Sequence, residues 1–305
     1  LLLFFFSLFM LWNEWQKYNQ PKVEMQATAS SASAGGSSVP APSAIQPAGT
    51  PSVPTVAPMP SVAKGELVSI STDLFVVQVS TQGGDIVGLE LKDYQSTVDQ
   101  EKPLSLFEAK HQYAAQSGLI GAGLPNHKTM FNVVAGSREL GSDEKTVTLR
   151  LEAPAADGVK VAKIYTFTRG SYLINVAHEI VNGSKNEVAA QAYYHLQRDT
   201  AAPEGESRMV STYTGPAEYT EQDKYQKIAF ADIEKGKAKF NAQADNGWMA
   251  MVQHYFVAAW IPEEKVQREF YAEKLDGGIS PTVRAGIKTW LPVAAPGTTV
   301  NNSVS

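Results

Sequence analysis

Five histidines, at positions 111, 127, 178, 195 and 254, are the only imidazoles this 305-residue chain offers for acid–base or metal chemistry. They are scattered, without the His-x-His or His-x-x-x-His spacing that brings two ligands to one metal ion. His178 and His195 fall on strands predicted to be neighbours through the Asn182-Gly183 turn. Beside a carboxylate such as Glu179 they could exchange protons with a substrate. Satisfied strand histidines account for the same pattern, and His254 reads as a local hydrogen-bonding residue. There is no Gly-x-Ser-x-Gly elbow, no P-loop and no Gly-x-Gly-x-x-Gly following a strand. Gly118–Gly123 has the wrong order for a phosphate loop. Cysteine is absent, which removes thiolate nucleophiles, thiolate metal sites and disulfides. No catalytic residue, metal site or cofactor is expected.

Binding residues are easier to nominate. The segment Arg198–Lys227 is polar, holds Pro203 and Pro216, and carries Tyr213, Tyr219 and Tyr225. Aromatic side chains on a loop of this length suit a protein interface, so these three tyrosines are the candidate partner-binding residues. Packing of the loop onto the domain would explain them equally well. With 26 basic and 31 acidic residues the net charge is −5, and no basic cluster suggests nucleic acid.

The elements that must position these groups fall into three stretches. Residues 1–18 begin with the apolar run Leu1–Trp12, followed by Trp15 and Tyr18, and read as the outer end of a truncated transmembrane helix. Residues 19–65 are an Ala/Ser/Pro-rich linker. From Ala27 to Ala63 it carries neither charge nor aromatic ring, so it should be disordered, spanning roughly 30–35 Å as a coil. Residues 66–305 read as one all-β domain, a large sandwich, with short apolar strands separated by Gly, Asn and Asp turns. Expected strands include Leu67–Ser71, Leu74–Val79, Ile86–Leu91, Thr146–Glu152, Val161–Thr168, Tyr172–Val181, Val188–Leu196, Ile228–Ile233 and Ala238–Ala242. The last residues, Thr298–Ser305, read as a strand cut off before its end. Gly83 and Gly84 should supply backbone angles that a side chain forbids.

The most apolar stretch of the domain is Asn246–Pro262, without one charged residue. Periodicity alone allows a helix, but its neighbours favour two strands, Trp248–Val252 and Phe256–Ile261, kinked near Gln253-His254-Tyr255. Trp248, Phe256 and Trp260 are then expected in the structural core.

Several segments, in order, carry a family resemblance. They are Thr81-Gln82-Gly83-Gly84-Asp85-Ile86, Ala115-Gln116-Ser117-Gly118-Leu119 and Phe167-Thr168-Arg169-Gly170-Ser171-Tyr172. Tyr213-Thr214-Gly215-Pro216, Asp223-Lys224-Tyr225-Gln226-Lys227 and Gly247–Pro262 follow. Together they resemble the first transmembrane helix and large periplasmic domain of YidC-type membrane protein insertases of Gram-negative bacteria. The resemblance implies a β-supersandwich related in shape to galactose mutarotases, on the periplasmic side of the bacterial inner membrane. It also implies work on nascent membrane proteins beside the Sec translocon and its SecD/SecF accessory subunits. The family's insertase core would lie after Ser305, leaving here a module that contacts partners or clients. A second reading, prompted by the mutarotase shape, is a carbohydrate-binding domain using His178 and His195.

Overall fold

The computed structural model of the chain describes residues 65–203, 205, 212–275 and 280–305. The anchor expected at 1–18 and the linker at 19–65, except its last residue, lie outside the described residues. No helix among the described residues is long and apolar enough to cross a membrane.

The domain is all-β, a large β-supersandwich of three sheets. Its base is a nine-stranded sheet. One side of this sheet is formed by β1 (Leu67–Ser71), β2 (Phe75–Ser80), β3 (Ile86–Gln95), β4 (Pro103–Phe107) and β5 (Ala114–Ile120). The other side holds β10 (Gln191–Asp199), β13 (Gln243–Ala244), β16 (Arg268–Leu275) and β17 (Thr282–Trp290). The spatial order is β1-β2-β3-β5-β10-β17-β16-β13, with β4 paired to β3. A five-stranded sheet contains β6 (Asn132–Val133), β7 (Thr146–Glu152), β8 (Val159–Thr168), β9 (Ile174–Asn182) and β18 (Thr299–Val304), with β18 beside β9 at one edge. A four-stranded sheet runs β12 (Lys224–Lys227), β11 (Thr214–Thr220), β14 (Trp248–Gln253), β15 (Phe256–Trp260).

Both smaller sheets pack on the same face of the base. Alternation along β10 sends Tyr194, Leu196 and Arg198 to that face and Tyr193 and His195 to the other. Tyr194 meets Trp260 of β15 at 5.2 Å and His178 of β9 at 5.7 Å between ring centroids. Its hydroxyl also accepts a hydrogen bond from Asn302 of β18 at 2.6 Å. Phe75 packs edge-on against Phe167 of β8, so the core is shared by the base and its two covers.

A buried charge joins the layers. Lys163 of β8 has no exposed surface, and its ammonium donates to the carbonyls of Gly83 (2.6 Å) and Ser117 (2.8 Å), lying 3.5 Å from Asp85. Gly83 and Gly84 have φ of +75° and +61°. That left-handed turn aims their carbonyls at Lys163, and a Cβ at Gly83 would run into the His127 backbone.

Four expectations about elements are corrected. Residues 228–233 are not a strand. Ile228 leads into a single helical turn, α1 (Phe230–Glu234), stopped by Gly236 at φ +64° with Lys237 N–H bonded back to Asp232. Ala238–Ala242 is irregular. The polar segment 198–227 is not one long loop, since it supplies β11 and β12. Finally, β9 and β10 are not a hairpin across Asn182-Gly183, because they belong to different sheets.

Candidate partner-docking face

The three nominated tyrosines come together on one sheet face. In antiparallel pairs, directly opposed residues project to the same side. Tyr219 of β11 opposes Tyr225 of β12 and Trp248 of β14, and Ala217 opposes Lys227 and Ala250. The row continues through Ala250 opposite Ala259 and Val252 opposite Val257. Glu218, Met249, Met251 and Trp260 alternate to the inner side, where Trp260 reaches the base. The outer face of the four-stranded sheet is therefore aromatic and aliphatic.

Its centre is a ring stack. Tyr219 lies over Trp248 with centroids 5.8 Å apart and planes 15° from parallel, and Tyr225 tilts onto the same indole at 6.2 Å. Tyr225 is 44% exposed and Val257 57% exposed. Tyr213 folds back over Gly215, donating its hydroxyl to the carbonyls of Pro216 and Ile228. Lys227 sits 4.8 Å above its ring and puts a cation on the rim. Tyr213 is thus a strut at the border, and Tyr219, Tyr225 and Trp248 form the aromatic cluster of the outer face.

Trp248 was expected in the core and is instead half-buried on this face. Its neighbour Gly247 takes φ +91° where the chain crosses so close to the Tyr219 carbonyl that no Cβ fits. The strand alternation Trp248, Ala250, Val252 against Met249, Met251 already separates the two faces. Nothing in it says which is covered. Trp260 is 4% exposed and in the core, and Phe256 packs at its margin against Tyr94.

Behind the face, Glu218 is fully covered opposite Met249, with one carboxylate oxygen accepting from Asn241 N–H at 3.0 Å. Burial pushes its carboxyl up to about 7, helped by nearby Asp223 and opposed by the Asn241 bond.

His178 and His195 do not form a site; His195 instead neighbours His127, with ring centroids 5.8 Å apart. His178 lies on β9 between the layers, whereas His195 projects from the opposite face of the base, so the pair that the carbohydrate-binding reading needs is not formed. His195 is saturated, with Nδ1 2.8 Å from the Tyr271 hydroxyl and Nε2 2.9 Å from Gln116 Oε1. Burial holds both imidazoles well below their usual range, and the charges of Lys163 and, for His195, Arg284 push the same way. Glu179 is engaged by Arg150 at 2.6 Å. His254 takes the turn between β14 and β15 at φ +55° and bonds Thr212. No group of three or more potential metal ligands occurs among the described residues.

The architecture is that of a large all-β supersandwich domain. The model of the YidC periplasmic domain family matches residues 67–305, and the chain belongs to that family. The membrane protein insertase YidC of Dechloromonas aromatica is 52% identical over 305 residues, covering 100% of this chain and 54% of that protein. The one of Aromatoleum aromaticum is 47% identical over 300 residues, covering 96% and 53%. The chain thus spans about half the length of the curated relatives it matches. Among solved structures, a galactose mutarotase related enzyme from Lactobacillus acidophilus aligns at TM-score 0.46 and 11% identity, over 78% of this chain and 96% of that one.

Proposed function

We propose that this chain is the periplasmic module of a membrane protein insertase, held at the bacterial inner membrane and acting by contact rather than by catalysis. It aids insertion and folding of nascent membrane proteins by docking accessory subunits of the SecD/SecF type through Tyr219, Tyr225 and Trp248. The observation that carries this reading is the aromatic cluster on the outer side of a sheet whose other side is core, with Tyr225 exposed, Tyr219 and Trp248 half-buried, and Ala217 and Ala250 covered beside them. Stacked aromatic rings rimmed by a cation resemble the centres of protein interfaces, where large rigid side chains bury area at little entropic cost. The separation of His178 from His195, and the engagement of both His195 ring nitrogens by Tyr271 and Gln116, support a non-enzymatic reading over the carbohydrate-binding one.

The test is photocrosslinking in the full-length protein in its native membrane, with the photoreactive residue at Tyr219, Tyr225 or Trp248. A control position is Lys160, exposed on the five-stranded sheet. Adducts to the accessory subunits from the aromatic positions alone are expected. Equal labelling from Lys160, or none from any aromatic position, would remove the assignment.

A further inference from the structure

Between β5 and β6, residues 124–131 cross the side of the base that faces away from the two smaller sheets, where His127 meets Tyr193 and His195. Leu124 and Phe131 are buried and anchor the two ends of this strap. Three backbone hydrogen bonds hold it down. Leu119 N–H donates to Pro125 at 2.9 Å, Gly83 N–H to Thr129 at 2.7 Å, and Phe131 N–H to Thr81 at 2.8 Å. Two glycines let it sit flat, since a Cβ at Gly83 would meet His127 Cα, and one at Gly118 would meet Asn126 Cα, each at 2.8 Å. The motifs at 81–86 and 115–119, well apart in the chain, are thus joined as the seat of one strap.

His127, 4% exposed, sits at its centre. The Tyr193 hydroxyl accepts from the His127 backbone N–H at 2.8 Å and lies 2.6 Å from Nδ1. The hydroxyl's one proton therefore goes to Nδ1, which must carry none of its own. A proton there would aim a second N–H at the same oxygen and strip a buried hydroxyl of its acceptor. The hydrogen bonds of His195, 5.8 Å away between ring centroids, require a neutral ring as well. Gln116 donates its amide to Asp85 at 2.9 Å, so its Oε1 accepts from His195 Nε2–H and leaves Nδ1 to accept from Tyr271. The surrounding charges offer no relief. Lys163 and Arg284 both act on His195 to disfavour a cation, and Lys288 lies over the Tyr271 ring. Each nearby carboxylate already faces a cation: Asp85 lies 3.5 Å from Lys163, Glu273 2.7 Å from Arg284 and Glu269 3.1 Å from Lys288. Lys128, on the strap itself, is exposed.

We propose that residues 124–131 form an acid-released strap, held on the base only while His127 is neutral. Below the ordinary imidazole value of about 6.5, the lifted strap takes up a proton that the seated one refuses. The advantage of the seated state is complete above that value and is lost as pH falls below it. From pH 7 to 5 the opening equilibrium should rise about 25-fold, as for one imidazole that titrates at about 6.5 only when open. Lifting uncovers Tyr193, His195 and Gln116, the polar side of the base.

This inference does not rest on the aromatic face. Its test is amide hydrogen exchange in this chain, expressed at each pH as protection relative to the unstructured rate. Protection at Gly83, Leu119 and His127 should fall about 25-fold from pH 7 to 5, while the amides of β8 keep theirs. In His127→Asn the side-chain oxygen can replace Nδ1 as acceptor but takes no proton, so protection should be the same at both pH values. Equal protection of the parent chain at pH 7 and 5 would overturn the proposal. So would a fall that survives in His127→Asn. In the parent chain the His127 ring, followed by NMR, should stay neutral at pH 6. A ring mostly protonated there with the strap still protected would overturn the proposal whether or not the variant folds.

Discussion

Lys163 is the side chain whose position the sequence hides best. A lysine inside the strand Val159–Thr168 reads as a solvent-facing residue, yet it is wholly buried between layers and bonded to the Gly83 and Ser117 carbonyls. Burial pulls its ammonium down to about 8 against the attraction of Asp85, and raises the Asp85 carboxyl to about 6. Removing one partner leaves the other as an unpaired buried charge, which costs about 3–5 kcal/mol. Lys163→Met and Asp85→Asn should each lower stability by that order, and the double variant should lose clearly less than their sum. Urea titration of the four proteins checks this, and strict additivity would show that the pair is not coupled. Trp248→Ala is the contrasting case. It should cost only about 1–2 kcal/mol, because its ring is half-buried, while abolishing the adducts expected from Tyr225.

The hairpins and turns divide between those legible in advance and those not. Ala156-Asp157-Gly158, an Asp-Gly turn signal, joins β7 to β8, with Asp157 and Gly158 at φ +52° and +82°. Asn182-Gly183 carries an equally strong local signal and yet sends the chain to another sheet. A turn dipeptide specifies reversal, and partner choice belongs to the strands. β11 and β12 were missed because Pro216, Glu218 and the lysines dilute their alternation. The apolar partner of β11 is β14, some 30 residues on, as the pairing of Tyr219 with Trp248 shows, and β12 pairs with β11 alone. Gly247 is where this arrangement is most constrained. Gly247→Ala should destabilise by at least about 2 kcal/mol, since it combines positive φ with a collision against the Tyr219 carbonyl. A melting temperature within a degree of the parent would contradict that account.

The whole domain should respond to pH through its buried carboxyls. Glu218 and Asp85 both have folded values raised above those of the unfolded chain, to about 7 from 4.5 and about 6 from 3.8. The folded state therefore binds more protons, and their contribution is complete below the unfolded values and lost as pH rises through about 6 and 7. Lys163 is depressed to about 8, so its contribution is present above 10.5 and lost as pH falls through 8. Stability should accordingly rise on acidification from pH 8 to 5, read as the urea midpoint. Glu218→Gln should raise stability at pH 8 by about 1–2 kcal/mol, discounted from the full shift because the carboxyl lies in a shallow layer. It should also flatten the profile between pH 5 and 7. An unchanged slope would rule out Glu218 as its source.

What the amino-acid order determined by itself was local and compositional. Absent cysteine, scattered histidines and modest net charge excluded whole classes of chemistry. Period-two apolar runs and glycine turns specified an all-β domain, and an ordered set of motifs placed it in its family. Tertiary structure alone decided which face of each strand is covered. It put Trp248 outside and Lys163 inside, separated His178 from His195, and brought Tyr219, Tyr225 and Trp248 into one stack. The reason is that a strand's two faces are equivalent until another layer packs on one of them, and those layers here come from segments far apart in the chain.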